Sequence, residues 1–293
     1  MSKKRENPTP IQDLEPNNKT QKRTKVSVQN KTHSKKLDTN GGGCGAALPS
    51  PMRVLSWNCR GLRSSPAIRL LSDEVKSKNP TWVFLMETKL GVNRIKGLQQ
   101  KLELTQGITV PSDGRSGGLA MMWREGEAMC LKSCSNTHID MVVQGESGAN
   151  PWRATGFYCH PNTSKRYISW ELLVALKNQC DMPWVVFGDF NEITHSDEKL
   201  GWLDRDALQM QNFRNCLSYC GLLDLGFVGQ LFTWCNERFR EQRTLVRLDR
   251  MLANEKWLEK FPKAQVQHVS MAASDHCLHD LSLRKSSPSV PQS

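Results

Sequence analysis

Short apolar runs begin at Met52 and recur along the rest of the chain, separated by polar segments. Runs of four to seven residues that are rich in β-branched and aromatic side chains predict strands. The predicted strands are segments 53–58, 81–88, 117–123, 138–143, 152–158, 183–191, 231–236, 245–252 and 280–283.

Three segments between these runs have the spacing of amphipathic helices. Pro66 suits a first helical turn after a serine cap, and Gly221 suits the end of the third helix. The predicted buried faces are Ile68, Leu71 and Val75; Ile168, Leu172 and Leu176; and Met210, Phe213, Leu217 and Cys220. Many strands with few helices predict a layered α+β domain, in which helices cover stacked sheets. We place this domain at residues 52–285.

Composition limits the cellular setting. The chain has 293 residues, of which 38% are hydrophobic, enough for a substantial core. No apolar run approaches the roughly 20 residues that cross a bilayer, and the N-terminal sequence MSKKRENPTP lacks the apolar stretch of a signal peptide. We therefore expect a soluble, intracellular protein.

The net charge of +11 is concentrated near the N-terminus. Residues 1–50 contain ten Lys and Arg against four Asp and Glu, so they carry six of these eleven charges, and they contain no aromatic residue. Such a segment buries too little apolar surface to offset the entropy of ordering, so we predict a disordered basic tail over residues 1–51 and a second disordered tail over 286–293. The basic tail is either a solvated linker or an element for nuclear import or phosphate binding.

The ten cysteines contain no C-x-x-C pair. In an intracellular protein this pattern indicates reduced, mostly buried thiols rather than disulfides or a zinc site.

Polar side chains recur where the predicted strands end. Asn58 and Glu87 close two apolar runs, and the stretch VVFGDFNEI carries Asp189 and Asn191 directly after a third. Two later segments add Asp249, Asp275 and His276. Buried carboxylates require hydrogen bonds, a cation or water, and carboxylate and amide oxygens suit Mg²⁺.

Each of these residues alone also has an ordinary structural explanation. Asp189 and Asn191 can form a turn after a strand. Glu87 can be a plain strand-end residue, His276 a hydrogen-bonded core histidine, and Asp249 a partner in surface salt bridges with the adjacent arginines. The order of the residues along a strand-rich chain carries more information than any one of them.

That order resembles the endonuclease/exonuclease/phosphatase superfamily, the fold of DNase I and of abasic-site endonucleases, over residues 52–283. The amino-acid sequences of seven motifs are most similar to those of the endonuclease domain of LINE-type non-LTR retrotransposons, particularly those of plants. These motifs are LSWNCRGL, METKL, GFYCHP, GDFNEITHSDEK, LFTWCN, RLDRMLAN and SDHC. The resemblance implies a four-layer α/β/β/α sandwich of two mixed sheets and an enzyme that nicks DNA.

The resemblance also implies a role for each polar residue. Glu87 would be the principal Mg²⁺ ligand, with Mn²⁺ as a substitute, and Asn58 and Asp275 would lie close to the metal or its waters. Asp189 would orient or deprotonate the attacking water, with His276 as the other candidate base. Asn191 and Tyr158 would hold the scissile phosphate. His276, paired with Asp249, would stabilise the charge that develops on that phosphate.

Four residues depart from the family pattern. Arg60 stands where abasic-site enzymes have an acidic residue, although the retrotransposon branch commonly has NCRG. Leu278 replaces a proline, and Cys159 and Trp202 replace glycines. A side chain at a glycine position is expected to cost about 1 kcal/mol or more where φ is positive.

Three functions are compatible with these features. The first is a Mg²⁺-dependent DNA endonuclease, expected to be monomeric and nuclear, and lacking the reverse transcriptase of a complete element. The second is a catalytically inactive nucleic-acid-binding remnant. The third is another phosphoesterase on the same fold, such as a deadenylase or an inositol-phosphate phosphatase. The candidate DNA contacts outside the site are Arg115, Lys165, Arg166, Arg238 and Arg240. Solvation on a helix face explains any one of them equally well.

Overall fold

The computed structural model describes residues 27–29, 52–114, 117–144, 150–236 and 242–283. The predictions for Arg115, Arg238 and Arg240, for residues 286–293 and for most of the basic tail lie outside these residues. Within the tail, Ser27–Gln29 forms strand β1. Among the described residues, no helix combines the length and apolar character that a membrane span requires.

Two mixed sheets form the centre of the domain. The first sheet contains seven strands in the order β1, β4 (Gln106–Val110), β5 (Leu119–Trp123), β3 (Trp82–Met86), β2 (Met52–Asn58), β16 (Leu278–Leu283) and β15 (Gln265–Val269). The second contains six strands in the order β11 (Leu223–Asp224), β14 (Asp249–Ala253), β9 (Trp184–Asp189), β8 (Trp152–Tyr158), β7 (His138–Val143) and β6 (Met129–Ser135).

Each large sheet has one parallel pair near its middle. In the first sheet β2 runs parallel to β3, and in the second β8 runs parallel to β9, while the other named pairs are antiparallel. A small third sheet follows the order β10 (Lys199–Leu200), β13 (Leu245–Val246) and β12 (Trp234–Cys235). The central strands are buried on both faces, which explains their continuous apolar runs.

Helices cover the outer faces of the two large sheets. The five α-helices in the described residues are α1 (Ser65–Lys78), α2 (Val92–Leu102), α3 (Arg166–Gln179), α4 (Ala207–Cys220) and α5 (Glu255–Lys260). Side chains of α1 and α2 share a core cluster with the first sheet, and those of α3 and α4 share one with the second. A third cluster, including Trp82, Phe84 and Phe187, fills the space between the sheets. The four-layer α+β sandwich expected from the sequence is confirmed.

The helix ends follow the expected chemistry in most respects. Pro66 lies in the first turn of α1, but the side chain of the capping residue Ser64 makes no capping hydrogen bond. Asp206 caps α4 by accepting hydrogen bonds from the amides of Leu208 and Gln209, and Gly221 ends that helix in the left-handed conformation. Gly221 therefore has the role predicted for it.

One predicted helix face is wrong at one position. Leu176 is buried and Leu172 packs against the core as predicted, but Ile168 is 48% exposed. The buried face instead continues through Leu173 to Ser169, which accepts a hydrogen bond from the amide of His160, and to Arg166, which pairs with Glu192. Arg166 is thus a buried ion-pair partner and not a surface DNA contact, while Lys165 is exposed.

The cysteines agree with the prediction of reduced thiols. No disulfide bond joins any of the nine cysteines that the structure describes, and five of them are buried. Cys159 and Trp202, which replace expected glycines, are not among the residues with a positive φ angle. The backbone strain expected at these two positions is therefore absent, and Trp202 is 86% exposed.

Candidate active site

The parallel strand pairs bring the predicted residues to one edge of the sandwich. Asn58 at the end of β2 is in register with Met86 at the end of β3, so Asn58 and Glu87 emerge side by side. In the second sheet Tyr158 at the end of β8 is in register with Asp189 at the end of β9. Asp189 in turn pairs with Asp249, the first residue of β14.

Asn58 joins the tips of the two sheets. Its Nδ2 donates to Oε1 of Glu87 at 3.2 Å and to Oδ2 of Asp189 at 2.9 Å, and the Tyr158 hydroxyl donates to Oε1 of Glu87 at 3.0 Å. All four residues are buried. The carboxylates are held together by neutral donors, which fixes their positions.

Two backbone conformations at these tips are unusual. Gly188 has φ +141°, and a Cβ there would lie 2.0 Å from the carbonyl oxygen of Phe157. Only glycine allows β9 to approach β8 this closely just before Asp189. Glu87 has φ +50°, a conformation that costs a non-glycine residue energy and is concentrated at functional sites.

His276 and Asp249 form a buried pair. Nδ1 of His276 lies 2.8 Å from Oδ2 of Asp249, and Nε2 lies 4.0 Å from Oδ2 of Asp189. The arginines beside Asp249 do not engage it: Arg247 and Arg250 both pair with Glu198 and Asp224. The alternative explanation of Asp249 as a partner of its neighbouring arginines is therefore wrong.

Asn191 forms the turn that the sequence allowed after β9. Its amide nitrogen donates to Oδ1 of Asp189 at 2.8 Å, and its φ is +51°, as expected for an Asn in a turn. Its side-chain Nδ2 donates to the carbonyl oxygen of Cys159 at 3.0 Å. Asn191 is thus fixed beside Asp189 on the same edge.

The surroundings alter the proton affinities of this cluster. Burial, together with the charge of Asp249, raises the pKa of Asp189 to about 7. Burial disfavours protonation of His276, but the carboxylates of Asp249 and Asp189 outweigh it and raise the pKa of His276 to about 9. Burial and the nearby carboxylates raise the pKa of Tyr158 above its usual value, so its hydroxyl remains a donor.

Three residues near the carboxylates were not assigned a role from the sequence. Arg60 and Lys89 both contact Glu87, and Trp234 donates its indole N–H to Oδ2 of Asp275 at 2.8 Å. Lys89 and Trp234 lie inside the motifs METKL and LFTWCN. The motifs therefore pointed to these two residues, but their contacts with the carboxylates could be identified only from the fold.

The donor set suits a hard divalent cation. Glu87 and Asp275 offer carboxylate oxygens at this edge, and the buried Oδ1 of Asp275 has, among the described residues, only an ion pair with Nε of Arg60 at 3.2 Å. A second possible set is Asp189, Asp249 and His276, whose ligand atoms lie within 4.8 Å of one another. His276 in that set already makes a hydrogen bond with Asp249. Mg²⁺ prefers oxygen ligands, so the oxygen-only set around Glu87 suits it better.

Comparisons with known proteins agree with this geometry. Residues 55–276 match the model of the Endonuclease/Exonuclease/phosphatase family. No curated protein gives a significant match.

Solved structures of several nucleases share the fold. They include the endonuclease domain of TRAS1, a telomere-specific non-LTR retrotransposon (16% identity, TM-score 0.60, covering 80% of this chain and 99% of that one). The AP endonuclease LMAP from Leishmania major matches with 14% identity and a TM-score of 0.64, over 81% of this chain and 89% of that one. The 3′ phosphatase NExo from Neisseria, bound to a product DNA hairpin, matches with 17% identity and a TM-score of 0.60, over 80% and 99%.

Proposed function

Because this chain belongs to the endonuclease/exonuclease/phosphatase family, we propose that it is a divalent-cation-dependent phosphodiester hydrolase that nicks DNA. The observation that carries the proposal is the convergence of Asn58, Glu87, Asp189 and His276 through direct contacts. A protein that only binds nucleic acid has no need for buried carboxylates beside a charged histidine, since each costs energy to bury.

Glu87 and Asp275 are the residues that would hold the cation, with Mg²⁺ the expected ion and Mn²⁺ a substitute. When bound, the ion supplies positive charge to the phosphate oxygens. The side-chain amide nitrogen of Asn58 donates hydrogen bonds to the carboxylates of Glu87 and Asp189. We therefore assign Asn58 the role of positioning these two carboxylates.

Asp189 is our candidate for the group that accepts the proton of the attacking water. His276 is the weaker candidate because its Nδ1 is engaged by Asp249 and its elevated pKa favours the protonated ring. A protonated His276 instead stabilises negative charge that develops on the phosphate. Tyr158 and Asn191 line the same edge and would help to hold the phosphate.

DNA of the kind that retrotransposons target is the substrate we favour. The sequences of the motifs resemble those of LINE endonuclease domains, and the TRAS1 endonuclease domain shares the fold. A nuclear location and a monomeric state would suit that role, and the basic tail would add phosphate contacts that weaken with salt.

A second candidate function is phosphatase or exonuclease activity at DNA 3′ ends, because the NExo 3′ phosphatase also shares the fold. Substrate comparison separates the candidates. Purified protein with Mg²⁺ should convert supercoiled plasmid to nicked circles faster than it removes a 3′-phosphate from an oligonucleotide or phosphate from inositol phosphates. Faster release from either of the latter substrates would contradict the endonuclease proposal.

A further inference from the structure

The side chain of Arg60 lies between the two carboxylates that we assign to the cation. Its Nε is 3.2 Å from Oδ1 of Asp275, and its Nη1 is 3.7 Å from Oε1 of Glu87. The same two carboxylates are therefore bridged by a cation that belongs to the chain itself.

The backbone around Arg60 directs this side chain. Arg60 has φ +49°, an uncommon value for a residue with a side chain. Its amide donates to Oδ1 of Asn58 at 3.2 Å, and its carbonyl accepts from Nζ of Lys89 at 2.8 Å. The loop after β2 is thus tied to the site residue Asn58 and to the segment after Glu87.

The carboxylates have other hydrogen-bond donors and do not depend on Arg60. Glu87 receives hydrogen bonds from Asn58 and Tyr158, and Asp275 receives one from Trp234. The Arg60 side chain is 48% exposed, so water can solvate its guanidinium if it moves away. Opening the bridge would leave Glu87 and Oδ2 of Asp275 with their hydrogen-bond donors, and it would free Oδ1 of Asp275 for the cation.

We propose that Arg60 competes with the divalent cation for Glu87 and Asp275 and so weakens cation binding. This inference rests on the proposed function, because it presumes that these carboxylates take the cation. Arg60 becomes a residue that sets the cation concentration at which the site loads. Lys89, with Nζ 3.5 Å from Oε2 of Glu87, adds positive charge on the other side of the same carboxylate.

Removing the charge of Arg60 should tighten cation binding. The positive charge of Arg60 beside the same carboxylates would oppose binding of a divalent ion even at the dielectric of water, by an amount on the order of tenfold in affinity. We expect Arg60→Met to bind Mn²⁺ about tenfold more tightly than the parent, whereas Arg60→Lys, which keeps the charge, should remain close to the parent.

The test is a Mn²⁺ titration followed by electron paramagnetic resonance, in which the signal of the free aqueous ion reports binding without any turnover. Arg63→Met is the matched control, because Arg63 is an exposed arginine of the same loop that contacts the carbonyl of Lys89 and neither carboxylate. Thermal unfolding in EDTA checks that each variant is folded, and Arg60→Gln replaces Arg60→Met if the latter is not.

Tighter binding by Arg60→Met, with Arg63→Met unchanged, supports the competition. Equal or weaker binding by both uncharged Arg60 variants, in folded protein, overturns it while leaving the cation site intact. If neither the parent nor any variant binds Mn²⁺ at millimolar concentration, the proposed cation site is itself wrong and the competition is overturned with it.

Discussion

Gly188 shows how a single residue shapes the candidate site. It lies directly before Asp189 in β9, in register with Phe157 of β8. Its φ is +141°, and a Cβ on this residue would lie only 2.0 Å from the Phe157 carbonyl oxygen, so there is no room for a side chain. The position of the Asp189 carboxylate therefore depends on a neighbour that has no functional group.

Gly188→Ala should destabilise the fold by about 3 kcal/mol, because a Cβ there both clashes with backbone and requires an unfavourable φ. Urea unfolding measures the change. The control is Gly97→Ala in α2, where an added Cβ meets no atom within 4 Å. That change should stabilise the protein by about 0.5–1 kcal/mol. Equal stabilities for the two variants would contradict the close approach at Gly188.

The pairing of strands β15 and β16 brings two buried histidines into contact. His268 and His279 face each other across β15 and β16 in direct register, with ring centroids 4.3 Å apart. Both nitrogens of His279 are buried without hydrogen-bond partners among the described residues. Burial and the neighbouring positive groups lower the pKa of His279 well below its usual value, so the folded protein keeps this ring neutral.

The stabilising contribution of a neutral His279 should therefore be lost in acid. The unfolded chain binds a proton at His279 near pH 6.5 and the folded protein does not, so this contribution is full above about pH 6.5 and decreases below it. Asp189 and His276, whose pKa values are raised in the folded protein, act in the opposite direction. His279→Phe removes the protonation of His279, so its melting temperature should fall less, or rise more, than that of the parent when the pH is lowered from about 7.5 to 5.5. An exposed histidine, His195→Gln, is the control and should keep the slope of the parent. An unchanged slope in His279→Phe would contradict the neutral buried ring.

The exposure of Ile168 and the burial of Leu173 in α3 give a second prediction for an element. Leu173→Ala removes a fully buried side chain and should lower the free energy of unfolding by about 2–5 kcal/mol. Ile168→Ala changes a side chain that is 48% exposed and should have an effect within about 0.5 kcal/mol. Urea unfolding of both variants tests this, and a larger loss for Ile168→Ala would restore the face predicted from the sequence.

On the scale of the whole molecule, four layers bring residues from distant parts of the chain to one edge. The sequence predicts the layers because parallel central strands have long apolar runs. It predicts the site residues at the strand ends because each run stops at a carboxylate or amide. Less regular elements are missing from that prediction. Strand β6 alternates only weakly between buried and exposed residues, β15 is short and polar, and α2 contains Gly97.

The contacts of Arg60 could not be predicted from the sequence. The residue is visible as a departure from the family pattern, but Asp275 is more than 200 residues away along the chain. Only the pairing of β2 with β16 places the two loops beside each other. Similarly, the positions of β14 and of the segment before β10 allow Arg247 and Arg250 to pair with Glu198 and Asp224. Asp249 therefore pairs with His276 and not with the arginines.

Hydrolysis of DNA by the converging strand tips is best tested by plasmid nicking with Asp189→Asn. This variant keeps the shape of the side chain but cannot accept the proton of water, so nicking in Mg²⁺ should fall by about 10²–10⁴-fold from the parent rate. EDTA should abolish nicking by the parent. The control is Asp181→Asn, which changes an exposed carboxylate paired with Lys256 outside the site. Parent-like nicking by a folded Asp189→Asn, or a folded parent that nicks nothing, would contradict the assignment of this edge as an active site.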